Sequence, residues 1–320
     1  MRIFRHYQGI PDAVRGAVVA IGNFDGVHRG HRALLAHARA LADERNGCLG
    51  VVAFEPHPQE FFHPGTERFR LTPFRTKARL LAEAGVDAMF ALPFDAEMAK
   101  KSAQEFVIDV LVDGLAAGCV VVGSDFQFGK GRAGDVAVLS YMGEMEGFGV
   151  DVFRPVGLLD GGADKISSST IRDALKQGRP EEAARLLGRW WTVESRVEHG
   201  DKRGRDLGFP TANMRLDDYL KPAFGIYAVR ATVMENDEPT ARYDGVASFG
   251  IRPMFETDVP LLETHLFDFS GDLYNKHLAA ELIAYLRPEM KFESLDALKV
   301  QMTMDCDKAR ILLRQMPATV

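Results

Sequence analysis

Cysteine is scarce in this chain. The three present, Cys48, Cys119 and Cys306, lie far apart and form no C-x-x-C pair. That excludes a disulfide framework or a four-cysteine zinc site as the organising device. Long apolar runs are missing as well. No stretch approaches the ~18 residues of a membrane-crossing helix, so no membrane partner is expected. The opening residues, MRIFRHYQGIPDAV, lack the roughly 7–15-residue apolar core of a secretory leader, which makes the cytoplasm the expected compartment. Positive charge is not in excess: Lys and Arg total 39 against 45 Asp and Glu, a formal net charge of -6. Broad nucleic-acid binding is therefore not expected, although a basic loop occupies 202–205. The chain has neither an internal repeat nor a low-complexity segment.

What is there is an ordinary globular mixture, 46% hydrophobic and 26% charged. At 320 residues the chain exceeds the about 100–200 usual for one domain, so two are expected. The pattern changes near residue 187, which divides the chain into 1–187 and 188–320. Before that point short apolar runs (Ala17–Ile21, Leu49–Phe54, Cys119–Gly123 and the weaker Val150–Phe153) alternate with helical patterns. One helix face carries Leu34, Leu35, Ala38, Leu41 and Ala42; another, within Ala103–Ala117, carries Phe106, Val110 and Leu111. Such alternation implies a parallel sheet covered on both faces, with ligands beyond the carboxyl ends of its strands.

After the junction Gly188-Arg189-Trp190-Trp191 the strand candidates are Thr192–Glu198, Ile226–Met234, Tyr243–Ser248, Leu261–Asp268 and Leu278–Leu286. Turn-forming stretches separate them, which predicts an antiparallel barrel. A closing helix runs from Ser294, its N-cap, to about Leu313, with Leu295, Leu298, Met302, Ala309 and Leu313 on one stripe.

Three segments of the first half carry chemistry. Residues 22–31, GNFDGVHRGH, leave a strand and open a helix. Glycines let backbone N–H groups approach a phosphate, and a helix start adds about half a positive charge. His28 and His31, three apart on the first turn, suit the developing charge of a phosphoryl or nucleotidyl transition state. Their spacing is not that of a zinc-binding H-E-x-x-H helix. Residues 121–135, VVGSDFQFGKGRAGD, set Asp125 and two phenylalanines beside Lys130 and Arg132, which fits a planar anionic ligand or an ordinary packed loop. The run from Gly123 to Gly129-Lys130 is one residue too long for a phosphate-binding P-loop and lacks its Ser or Thr. ISSSTIR, 166–172, opens another helix; Thr170 and Asp173 have capping-box spacing, and Arg172 offers a bidentate phosphate contact.

GNFDGVHRGH, FEPHP, VGSDFQFG and SSSTIR together resemble the adenylyltransferase module of the prokaryotic bifunctional riboflavin kinase/FAD synthetase family. The resemblance implies a nucleotidylyltransferase-type α/β domain that binds FMN and ATP and transfers the adenylyl group in line. It implies that His28 and His31 hold ATP phosphates, and that Ser168, Ser169 and Arg172 grip the leaving phosphates. Gly22, Asn23, Phe24, Asp25 and Gly26 then shape the loop around them. Asp125, Phe126, Phe128 and Arg132, with Phe54, Pro56, His57 and Pro58, fall on the flavin side. A second reading makes His57, set between two prolines, purely architectural.

In the second half, HGDKRGRDLGFPTAN (199–213) combines glycines with cations, and Thr211 and Asn213 share a strand face. Their neutral oxygens suit a Mg²⁺ shell completed by ATP phosphates and water. In LLETHLF (261–267), Glu263 shares a face with His265 and Phe267, opposite Leu262 and Leu266. It serves either as a general base for an alcohol or as an ordinary exposed strand residue. With FGIY at 224–227, YDGVA at 243–247 and FDFSGDLY at 267–274, this set resembles the family's riboflavin kinase module, a small antiparallel barrel. That implies Glu263 as base for the ribityl hydroxyl, Thr211 and Asn213 on Mg-ATP, and Gly200, Lys202 and Gly204 in a flap over the phosphates.

The resemblance covers nearly the whole chain, with riboflavin, FMN and ATP as small-molecule substrates and FAD as product. Departures are Met254 for the usual threonine, Asn275 for a glycine, and Trp190 for a proline. The first two motivate an alternative, an FMN adenylyltransferase whose barrel binds flavin but phosphorylates weakly. A flavin-binding regulator without turnover would have no use for His28, His31, Arg172, Thr211, Asn213 and Glu263, all of which are present.

Overall fold

The computed structural model describes residues 1–154, 166–199, 204, 207–235, 238–251 and 260–318. The chain divides into two compact units, Met1–Glu67 with Thr72–Lys165, and Arg68–Leu71 with Ile166–Val320.

The first unit is built on strands β1 (Arg2–Phe4), β2 (Val18–Ile21), β3 (Leu49–Glu55), β4 (Ala88–Pro93), β5 (Cys119–Gly123) and β6 (Gly149–Phe153). They form one parallel sheet in the order β1-β4-β3-β2-β5-β6. Side chains alternate between the faces: Val18, Ala20, Val51 and Val121 enter one buried cluster, Val19, Ile21, Val52 and Val120 the other. Strands buried on both faces must be apolar throughout, which is why their sequence reads as continuous runs. β4, AMFALP, is equally buried, but its Ala, Met and Leu give little strand signal, and the sequence reading passed over it. β2 pairs with β3 on one side and β5 on the other, so the chain order reverses there. The crevice beyond its carboxyl end is the expected ligand position.

The stretch expected as one helix over Ala103–Ala117 differs in detail. A turn capped by Ser102 and Glu105 is followed by a π-helix, Phe106–Gly114. Leu115 N donates to Val110 O, five residues back. The wider turn still buries Phe106, Val110 and Leu111.

The second unit is a closed barrel of β7 (Trp191–Glu198), β8 (Ala212–Arg215), β9 (Gly225–Glu235), β10 (Glu238–Gly250), β11 (Leu261–Leu266) and β12 (His277–Arg287). The order is β10-β11-β8-β7-β12-β9, every pairing antiparallel, and β9 closes onto β10. β11 stops at Leu266, two residues short of expectation, because Asp268 takes a left-handed backbone with φ 57°. Two helices precede the barrel in this unit, Ser168–Lys176 and Pro180–Leu187. The first is capped not by Thr170 but by Ser167, whose side chain accepts from Thr170 N at 3.2 Å. Thr170 already stands on the helix's first turn, its Oγ1 2.9 Å from Ser167 Oγ.

The C-terminal helix, Leu295–Gln315, starts at Ser294 as expected, with Ala297 N donating to its hydroxyl. Its buried stripe is the expected one in part: Ala309 and Leu313 are buried and Leu298 and Met302 half-buried. Leu295 is 66% exposed, whereas Asp305 and Cys306 are buried with Ala309 and Leu313. Asp305 can be buried because Arg287 donates to both its oxygens at 2.7–3.1 Å, joined by Gln301 Nε2 at 3.0 Å. At the other end of this helix Arg230 donates to the carbonyls of Leu313, Met316 and Pro317. Trp190, which replaces the family's proline, packs against Cys306, Ala309 and Leu313; its Nε1 finds no acceptor among the described residues.

Breaking one side of the Arg287–Asp305 pair strands a charge with little access to water. Asp305→Ala is expected to destabilise this unit by on the order of 3 kcal/mol. A double replacement, Arg287→Met with Asp305→Leu, is expected to restore most of that loss. Thermal unfolding of both variants checks it; a double variant as unstable as the single would contradict the ion-pair account.

Candidate active sites

The first site grows from the end of β2. Between Ile21 and the helix α1 (Arg29–Glu44), residues Phe24, Gly26 and Val27 take left-handed backbones with φ of 48°, 84° and 39°. For a β-branched valine that is strained, on the order of 1–3 kcal/mol, and it persists only where the surroundings enforce it. Here they do. The Phe24 and Val27 side chains are fully buried in the core. Thr72 holds the loop between them: Gly26 N donates to Thr72 Oγ1 at 2.9 Å, and Thr72 N donates to Asp25 Oδ1 at 3.0 Å.

His28 is the N-cap of α1 rather than a first-turn residue. Its Nδ1 accepts from His31 N at 3.2 Å, so in the neutral ring the proton sits on Nε2. The two imidazoles stack, centroids 3.6 Å apart and planes 15° from parallel. The N–H groups of Arg29 and Gly30 open the helix without intrahelical acceptors. His31 Nδ1 is buried and has no hydrogen-bond partner among the described residues. Burial, then the charges of His28 and Lys77, hold the His31 imidazole well below its ordinary pKa. The ring is therefore neutral at pH 7. An amide-lined helix mouth with an unsatisfied ring nitrogen beside it is a site for an oxyanion.

Sequence reading missed the support beneath this loop. Lys77, on the helix Phe74–Glu83, is 2% exposed. Its Nζ lies 3.4 Å from the Asn23 carbonyl and 3.7 Å from Glu55 Oε2. Nothing in the pattern FRTKARLLAE marks that lysine as the one turned inward.

The flavin-side residues gather at the ends of β3, β4 and β5. Phe126 and Phe128 stack at 5.4 Å, Phe128 meets Phe106 at 5.6 Å, and Phe106 meets Phe54 at 6.2 Å. Phe54 meets Phe94 at 5.4 Å, and Phe94 meets Phe61 and Phe62 at 5.5 and 5.6 Å. Only Phe54, Phe126 and Phe128 were expected; Phe61, Phe62, Phe94 and Phe106 come from separate segments. The wall is mostly packed away, but Phe62 is 59% exposed. Asp125 and Arg132 are both exposed on the loop after β5. Pro56 follows Glu55 in a cis bond, and His57 caps the short helix Pro58–Phe62 by accepting from Gln59 N at 3.1 Å. Its Nδ1 is thereby spent on the fold.

Ser168, Ser169 and Arg172 belong to the second compact unit, together with Arg68–Leu71. Ser168 and Ser169 start their helix, and Arg172 Nε donates to the Phe69 carbonyl at 2.8 Å.

The second site lies on the barrel. Register places Asn213 directly across from Glu263, and Glu263 across from Ser248. Opposed residues of antiparallel strands share a face, with Cβ atoms about 4.5–5.5 Å apart. Leu262 and Leu266 turn into the barrel core with Ala212 and Met214. Asn213 and Glu263 therefore sit on the outer face, with Thr211 two residues upstream. Phe267, expected on that same face, is buried in the cluster that includes Ala309 and Leu313 of the C-terminal helix. Next to Thr211, a cavity of about 330 Å³ is lined by Val197, Thr264, Leu266, Phe269 and Tyr274.

Gly204 N-terminal to this strand has a structural reason. A Cβ there would stand 2.4 Å from the Phe209 carbonyl and 3.4 Å from Thr211 Oγ1. Gly200, Lys202 and Met254 lie outside the described residues. Asn275 has φ 65°, the left-handed region that glycine enters freely and that asparagine tolerates best among other residues. The exchange of the family's glycine for Asn275 thus preserves the backbone. Among the described residues no cluster of His, Cys, Asp or Glu could hold a metal. Thr211 and Asn213 instead offer neutral hard oxygens, donors that suit a Mg²⁺ whose other ligands are phosphates and water.

Comparison with known proteins follows the same division. The family model described as FAD synthetase matches residues 10–170, and that described as riboflavin kinase matches 187–313. A bifunctional riboflavin kinase/FMN adenylyltransferase from Pseudomonas fluorescens is 42% identical, covering 98% of each chain. Its counterpart from Escherichia coli K12 is 41% identical over 95% of this chain and 96% of its own. A crystal structure described as a macrolide-efflux protein from Streptococcus pneumoniae superposes with a TM-score of 0.83 at 29% identity, covering 96% and 98% of the two chains. Among the described residues no helix is long and apolar enough to cross a membrane. With both family models in tandem and relatives that align end to end, this chain belongs to the bifunctional riboflavin kinase/FMN adenylyltransferase family.

Proposed function

We propose that this chain phosphorylates riboflavin with ATP to give FMN, then adenylylates FMN with a second ATP to give FAD and pyrophosphate. The adenylyltransferase module spans 1–187 and the kinase module 188–320. ATP consumption at both sites points to the cytoplasm. The observation that carries the adenylyl reading is the stacked His28–His31 pair at the mouth of α1, with His31 Nδ1 buried and unsatisfied.

In that step an FMN phosphate oxygen attacks the α-phosphorus of ATP in line, a new P–O bond forms and the bond to pyrophosphate breaks. His28, from Nε2, and His31 hold the phosphates, with the helix N–H groups facing the same charge. The loop Gly22 to Gly26 shapes that hollow. Ser168, Ser169 and Arg172 keep the role the resemblance gives them, gripping the leaving phosphates. Phe54, Phe126 and Phe128 line the flavin side together with Phe62 and Phe94, an aromatic wall suited to a planar ring system. Pro56, Pro58, Asp125 and Arg132 frame it, and His57 acts as the cap that sets the entry turn.

In the kinase step Glu263 takes the proton of the ribityl hydroxyl as that oxygen attacks the γ-phosphorus, the bond to the bridging oxygen breaks and ADP leaves. Thr211 and Asn213 would hold Mg²⁺, which supplies charge neutralisation to the ATP phosphates. Gly200, Lys202 and Gly204 keep the role the resemblance gives them, toward the ATP phosphates. The support for this reading is the register, which sets Asn213 and Glu263 side by side on one face. The left-handed Asn275 favours an active barrel over the weakly phosphorylating alternative.

Purified chain incubated with riboflavin, ATP and Mg²⁺, with the flavins separated by chromatography, tests the function directly; FMN and FAD are both expected. His28→Ala is expected to abolish FAD formation and leave FMN formation intact, and equal loss of both would refute independent sites. Glu263→Ala is expected to slow FMN formation by roughly 10²–10⁴-fold while FAD still forms from supplied FMN. Asn275→Gly should keep the kinase rate, whereas Asn275→Val should lower it; a normal rate for the valine variant would remove the backbone argument.

A further inference from the structure

Lys77 has no part in the chemistry above, yet its burial requires a reason. Lysine is almost never fully buried unless paired, and the rest of its helix face is Thr76, Ala78, Leu80 and Leu81. A buried ion pair is a poor stabilising device, because desolvation offsets most of the attraction. Methionine would fill the same space without that cost. Stability therefore does not account for a cation here.

Its two oxygen partners do. Nζ reaches the Asn23 carbonyl at 3.4 Å and Glu55 Oε2 at 3.7 Å. Asn23 follows the carboxyl end of β2, and Glu55 ends the neighbouring β3. From the same segment Thr72 binds Gly26 N and Asp25 Oδ1. Residues 72–77 thus grip the phosphate loop at Asn23, Asp25 and Gly26. In a trans peptide the carbonyl and the following N–H point opposite ways. Holding the Asn23 carbonyl toward Nζ sends the Phe24 N–H away from it and fixes that peptide plane.

We propose that Lys77 is a positioning residue for adenylyl transfer, which fixes the Asn23 end of the loop and brings a buried cationic side chain to it. The inference rests on the adenylyl-transfer reading of this site. The ionisable groups gathered there are Asp25, His28, His31, Glu55 and Lys77. A triphosphate brings several negative charges to this hollow, and a buried cation acts on them with little screening by salt. The same charge contributes to the depression of the His31 pKa, after burial and His28. Lys77 thereby adds to the burial and the His28 charge that hold that ring neutral.

The test uses full-length Lys77→Met and Lys77→Arg, with thermal unfolding followed by circular dichroism as the measure that the unit holding Lys77 is folded, and FMN formation as the control for the other unit. Three quantities are followed: kcat for FAD formation, KM for ATP, and the titration of the His31 ring by NMR. Lys77→Met is expected to lower kcat roughly 10²-fold, with KM little changed and FMN formation intact. The His31 titration is expected to move to higher pH. Lys77→Arg is expected to recover at least tenfold of the lost kcat and to leave His31 titrating low. If Lys77→Met makes FAD within twofold of the parent rate, the proposal is overturned. Equal losses in both variants with an unmoved His31 titration mark a merely structural lysine and overturn it too. Should Lys77→Met fail to fold, Lys77→Gln carries the same comparison. A parent enzyme that makes no FAD from FMN and ATP would instead sink the reading on which the inference stands.

Discussion

The burial of two side chains, Phe24 and Val27, is what the proposed adenylyl site depends on. Both belong to residues with left-handed backbones, conformations the loop would abandon if those side chains were free to leave the core. Packing energy is thereby converted into a fixed loop, and Thr72 completes the clamp through its hydroxyl and its backbone N–H. The consequences run outward from there. A fixed loop fixes where α1 begins, and that start makes His28 a cap. A capping His28 has a defined tautomer, and its ring then carries His31 stacked against it.

The proposed kinase site rests on a different constraint, the register of an antiparallel barrel. A slip of one residue in β11 would send Glu263 into the core and Leu262 outward. Leu262 and Leu266, packed inside with Met214, prevent that slip. The face on which the candidate base stands is thus set by its apolar neighbours. Helix packing adds to this from outside, since Phe267, just past the end of β11, is covered in the cluster containing Ala309 and Leu313. The unit that holds Glu263 in place also buries the Arg287–Asp305 pair and the Arg230 clamp, polar contacts that tie the last helix to the barrel wall.

Both sites draw on oxyanion chemistry with little charge of their own. The first presents the neutral His31 ring, the helix-capping His28 and backbone amides, and the second presents neutral oxygens beside one carboxylate. Phosphoryl and adenylyl transfer need position and preorganised dipoles more than reactive groups, because no covalent intermediate has to be made. Such sites leave few ionisable residues in the sequence to be noticed. That is why Lys77 and Thr72 escaped it while His28 and His31 did not.

The sequence alone determined the parallel-sheet and barrel architectures, the helix start at Ser294, the phosphate loop and the face of Glu263. Each of these is written in local spacing, glycine placement or period-2 alternation, which neighbouring residues enforce on one another. Only the tertiary structure decided that Asp305 is buried while Leu295 is exposed, since that depends on Arg287 from another strand. It alone brought Phe61, Phe62, Phe94 and Phe106 into one wall with Phe54 and Phe128, and turned Lys77 beneath Asn23. Those contacts join segments tens of residues apart, and no local pattern carries the identity of a partner that distant.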